Sequence, residues 1–99
     1  MADDPSYPVG TASVAWTDKS GNGQLHVFST DGYDVIERFW NGSGWSTGDF
    51  KQPGSQVSAT GYLLDDGFYM RVYCTSGDKT TEWCKDGDGD WFQGDYTTN

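Results

Sequence analysis

The chain has 99 residues, 16% of them aromatic, and a formal net charge of -9. That length allows one domain with a thin core. Six Lys and Arg against 15 Asp and Glu argue against nucleic acid or an anionic membrane surface as partner, because both are gripped by clustered cations. No apolar run is long enough to span a bilayer. The opening "MADDPSYPVG" has neither the basic nor the apolar region of a secretory leader, so the chain as given is expected to be soluble.

After an N-terminal segment of residues 1–10, short strands are predicted over residues 11–16, 24–30, 34–40 and 45–50. Four more follow over 57–63, 68–75, 80–85 and 91–96. The turns between them are "SGNG", "TDGY", "NGSG", "QPGS", "LDDG", "TSGD" and "DGDG", all rich in residues that accept positive φ or cap a bend. The expected class is all-β, with almost no helix. "DGDGDW" is read as a turn and not a calcium loop: counting from Asp86, an EF-hand needs Gly where Trp91 stands and Glu where Thr97 stands. Cys74 and Cys84 flank the "SGDK" turn, but pairing Thr75 with Thr80 puts Cys74 opposite Thr81, three residues from Cys84. Free thiols are expected, because that separation is too long for a disulfide without distortion.

The second half repeats the first. Residues 25–50 superpose on 70–96 with one insertion, Asp90. Val27 then falls on Val72, Thr30 on Thr75, Glu37 on Glu82, Gly42 on Gly87, Trp45 on Trp91, Gly48 on Gly94 and Asp49 on Asp95. Upstream, Trp16 matches Tyr62, and the period of about 45 residues is that of a four-stranded propeller blade. Blade 1 is placed at about residues 11–54 and blade 2 at about 55–99. Two blades cannot close a ring, since each buries its faces only against neighbours. The chain is therefore expected to oligomerise, a dimer giving four blades, a trimer six and a tetramer eight.

"MRVYCTSGDKTTEWCKDGDGDWFQGDY", with "ERFWNGSGWSTGDF", closely resembles the small two-blade fucose-binding lectins of bacteria, relatives of the six-bladed Aleuria-type fungal fucose lectins. The pattern runs in register from about residue 11 to the C-terminus. The resemblance implies a homotrimer forming one six-bladed β-propeller, with L-fucose or fucosylated glycans held between adjacent blades. An Arg and a Glu of one blade share the ring hydroxyls, a backbone N–H of the last strand adds a bond, and two Trp of the next blade stack on the sugar. Carried over, the inter-chain pocket comprises Arg71, Glu82 and the backbone at Asp95, faced by Trp40 and Trp45 of the adjacent chain. Such a set suits a ring with a hydroxyl edge and an apolar methyl patch.

The intra-chain pocket departs from this pattern. Glu37, Trp91 and the backbone at Asp49 are retained, but His26 stands at the arginine position and Lys85 at the first stacking Trp. A weaker or altered site is expected there, which His26→Arg with Lys85→Trp should restore. Trp16 and Tyr62 are read as core. No enzyme activity, metal or cofactor is expected, and extracellular or cell-surface glycans are the implied targets. The rival readings are a glycosidase built on pairs among Glu37, Glu82, Asp49 and Asp95, and a propeller that binds protein or another sugar. Against the glycosidase, Glu82 is expected beside Arg71, whose charge would keep it ionised.

Overall fold

A computed structural model describes residues 8–98. Residues 1–7 of the predicted N-terminal segment, and Asn99, lie outside the described residues. The strands are β1 Gly10–Thr17, β2 Gly23–Thr30, β3 Asp34–Trp40, β4 Trp45–Pro53, β5 Gln56–Leu64, β6 Gly67–Ser76, β7 Lys79–Asp86 and β8 Phe92–Thr97. Each predicted strand is present. The largest difference is at β4, which runs three residues past its predicted end. β8 begins one residue late and leaves Trp91 ahead of it.

The strands form two antiparallel sheets in chain order, β1-β2-β3-β4 and β5-β6-β7-β8. Every link within a sheet is a hairpin, and each of the six hairpin turns carries a glycine at positive φ: Gly21, Gly32, Gly42, Gly67, Gly77 and Gly87. The remaining turn, "QPGS", joins the sheets, and its glycine is required for space instead. A Cβ at Gly54 would come 2.9 Å from Val35 Cγ2 and 3.1 Å from Cys74 Cβ. Thr30, fully buried there, donates its hydroxyl proton to the Gly54 carbonyl, so its burial leaves no donor unpaired.

Period-2 alternation gives each sheet two unlike faces. In β6, Phe68, Met70, Val72 and Cys74 are buried while Tyr69, Arg71, Tyr73 and Thr75 alternate with them. The buried face packs on Val14, Phe28, Val35 and Phe50 of the first sheet. Trp16 stacks on Phe68 with centroids 4.8 Å apart and planes 7° off parallel. Trp91 meets Phe28 and Phe50 edge-on at 5.9 and 4.6 Å. Burying each large apolar side chain contributes roughly 1.5–3 kcal/mol, which is how so few aliphatic residues suffice. Trp16 thus packs half-buried against the core, and its indole also reaches the candidate site. Tyr62 is instead 44% exposed, because no described residue covers its side of the second sheet.

Cys74 pairs in register with Thr81, and Cys84 with Arg71. Both thiols are buried and free. Register alone forbids the bridge, and the pleat adds a second reason: residues in register share a face, so the two sulfurs lie on opposite sides of the sheet. Among the described residues no helix is long and apolar enough to cross a membrane.

Candidate ligand-binding faces

The two glutamates carried by the repeat occupy the same irregularity. Between the pairs Ile36–Lys51 and Arg38–Thr47, Glu37 alone faces residues 48–50. Between Thr81–Thr97 and Trp83–Gln93, Glu82 alone faces residues 94–96. Each bulge folds its carboxylate back over the neighbouring strand, onto a glycine. A Cβ at Gly48 would strike Glu37 Oε1, and one at Gly94 would strike Glu82 Oε1. Gly48 and Gly94 are therefore there to admit a carboxylate.

On the second sheet, Glu82 Oε2 accepts the Tyr73 hydroxyl at 2.8 Å and Oε1 accepts the Tyr96 amide at 3.1 Å. The Tyr73 bond is the main reason its pKa lies below the ordinary carboxylate value. The Tyr96 amide, the Arg71 charge and the Asp95 amide add to this, and partial burial opposes it. The same bond, with burial, pushes the Tyr73 phenol up to about 12. Glu82 is held as an ionised acceptor, and Tyr73, which the sequence reading missed, is its principal holder. A tyrosine directly opposite the glutamate in the register was the available signal.

Arg71 shares this face but does not pair directly with Glu82. Its Nη1 donates to Asp86 Oδ1 and to the Met70 carbonyl, both at 2.8 Å, and Nη2 donates to the Tyr62 hydroxyl at 3.1 Å. Its Cζ lies 5.6 Å from the Tyr62 ring centroid, and that ring stacks on Tyr69 at 5.3 Å. The guanidinium is thus fixed from three sides, with Glu82 diagonal to it across the ladder. Asp95 is exposed, on the strand that supplies the amides to Glu82. Trp40 and Trp45 pair in register at the far edge of the first sheet, 5.8 Å apart and inclined at 63°. They belong to its exposed face, with Leu25, Ile36 and Arg38, which Pro8 borders.

The intra-chain set is arranged otherwise. His26 Nδ1 lies 2.9 Å from Glu37 Oε2, and the Trp16 indole donates to His26 Nε2 at 3.4 Å. Glu37 is buried. His26 and Lys85 line one open cleft of about 770 Å³ between the sheets, with Trp16, Phe39, Leu63 and Leu64. Lys85 is partly tied down by donating to the Gly89 carbonyl at 2.7 Å. Glu37 and Trp91 are not among the residues lining this cleft, and Trp91 lies against the core rings Phe28 and Phe50. Asp49 is exposed on β4. Among the described residues, no group of three or more His, Cys, Asp and Glu converges as a metal site.

No known family profile matches the chain, and no characterised protein matches it either.

Proposed function

We infer that the protein is a carbohydrate-binding lectin for L-fucose and fucosylated glycans, acting as a homotrimeric six-bladed β-propeller with its strong sites between chains. Each sheet is then one blade. The observation that carries this reading is the unequal cover of two equivalent faces. The His26–Glu37 face of blade 1 is packed under blade 2 of the same chain. The Arg71–Glu82 face of blade 2 is its repeat equivalent and lacks such cover. The same contact repeated between chains would lay the Trp40–Trp45 face of one copy over the Arg71–Glu82 face of the next. That is a head-to-tail interface, which makes a ring when its rotation closes.

The chemistry of the assembled pocket suits a neutral sugar. Glu82 supplies a fixed ionised acceptor, Arg71 a fixed cationic donor, and Trp40 and Trp45 supply aromatic surface for a methyl-bearing ring face. Such preorganisation lowers the ordering cost of binding. Three sites on one ring allow avidity on a glycan-coated surface. Glu82, held ionised by Tyr73 and Arg71, lacks the raised pKa that a glycosidase's general acid needs, which favours binding over glycoside hydrolysis. Calorimetric titration with methyl α-L-fucoside in the presence of chelator tests the reading. Saturable binding that is strongly weakened in Arg71→Ala is expected, and absence of binding by the native chain would overturn it.

A further inference from the structure

The internal repeat allows the two blades to be compared residue by residue. Arg71, Tyr73, Glu82 and Cys84 of blade 2 correspond to His26, Phe28, Glu37 and Phe39 of blade 1. In blade 2 the glutamate is held by the Tyr73 hydroxyl, leaving the residue in the arginine position to reach outward. Phe28 has no hydroxyl, and in blade 1 the glutamate is held by His26 instead. His26 therefore stands at the arginine position but does the work of the tyrosine.

Both ring nitrogens of His26 are engaged in that task. An indole N–H only donates, so Nε2 accepts from Trp16 and the ring proton lies on Nδ1, directed at Glu37. Neither nitrogen is left for a ligand. Phe39 adds a third obstruction. It pairs in register with His26 as Cys84 does with Arg71, and its ring lies 6.0 Å from the imidazole with planes 27° apart. A phenyl ring occupies the position where blade 2 has only a buried thiol. The His26 side chain is 15% exposed against 19% for Arg71, so the blades differ here in the neighbouring ring and in the partners taken, not in overall burial.

We propose that Phe39 is the residue that closes the His26 side of the blade-1 cleft, standing against a His26 already committed to Glu37 and Trp16 while the rest of the cleft stays open, so that the ring carries one sugar site per chain. Converting His26 and Lys85 alone does not reopen the pocket; the phenyl ring must go as well. The sugar count rests on the lectin reading above, whereas the closure of His26 does not.

Two measurements separate these. In fucoside titration, the native chain and His26→Arg/Lys85→Trp should each bind one sugar per chain. Adding Phe39→Cys to that pair should give two. Two sites in the double variant, or one in a triple variant of native mass and native near-ultraviolet dichroism, would overturn the proposal. The second measurement needs no sugar, because His26 is the sole histidine of the chain. Diethyl pyrocarbonate attacks an unprotonated ring nitrogen, so the comparison is made in Trp16→Phe, which frees Nε2: carbethoxylation should be at least tenfold faster in Trp16→Phe/Phe39→Cys than in Trp16→Phe. An unchanged rate in the folded Trp16→Phe/Phe39→Cys protein would overturn closure by Phe39. Absence of fucoside binding by the native chain, with the tenfold acceleration present, would count against the lectin reading and leave the closure standing.

Discussion

The carboxylate of Glu82 rests on the Cα of Gly94, at a bulge where a single β7 residue faces three of β8. A methyl group there would also come 2.8 Å from Cys84 Sγ, so neither the carboxylate nor the thiol beneath it can give way cheaply. Gly94→Ala should cost about 1–3 kcal/mol of stability, as overpacking does, and should abolish fucoside binding by displacing the acceptor. Gly48→Ala makes the same collision with Glu37 and should cost a similar amount while leaving the sugar count at one per chain. Urea unfolding paired with calorimetry checks both, and full fucoside affinity in Gly94→Ala would contradict the role given to Glu82.

Tyr73→Phe removes the largest influence holding the Glu82 carboxyl below its ordinary value of 4.5. A carboxylate with a lowered folded-state pKa adds stability that is fully present above its unfolded pKa and is lost as pH falls through the folded value. Losing the Tyr73 bond raises that folded value, so the acid limbs of stability and of sugar binding should both move to higher pH. The hydrogen bond itself is worth roughly 0.5–1.5 kcal/mol, somewhat more with a charged acceptor. Acid titrations of the native protein and the Tyr73→Phe variant with superimposable limbs would remove Tyr73 from the site.

Arg71→Ala should weaken fucoside binding by roughly 2–4 kcal/mol through loss of charged hydrogen bonds. It also strips Asp86 of its ion pair, which is half-exposed and worth about 0–1 kcal/mol to folding. Binding should therefore fall far more than stability. A thermal shift large enough to account for the lost binding would instead mark Arg71 as a structural residue.

The eight strands and the doubling of the sheet were legible because short alternating runs and glycine turns encode them locally. Glu37, Glu82 and their glycines were legible as repeated letters, though their mutual contact was not, since it depends on a bulge that shifts β4 and β8 in register. The Arg71–Asp86 pair was hidden for a related reason: the sequence places Arg71 near Glu82 but does not say which of two nearby carboxylates takes the guanidinium. Tyr62 read as core together with its repeat partner Trp16. The repeat is symmetric in sequence, whereas the described residues cover only one of its two equivalent faces. His26 read as a weakened arginine because the substitution of Phe28 for Tyr73, which gives it another partner, lies two residues away in sequence and acts through the glutamate.

The thiols offer an independent check on the fold. Burial pushes the Cys74 pKa up to about 11 and raises that of Cys84 as well, and thiolate is the reactive form. Ellman's reagent should find almost no fast-reacting thiol in the native protein, and two per chain in denaturant without reductant. Fewer than two in denaturant would point to a disulfide that the sheet geometry forbids.

The central claim is that three chains close one ring and share their sugar sites across the joins. Native mass spectrometry during titration with methyl α-L-fucoside reads mass and occupancy together. A species of about three times the 10.9 kDa chain mass, filling to three sugars and no further, is the predicted result. A folded monomer that takes up the sugar, or a trimer that takes up none, would contradict it.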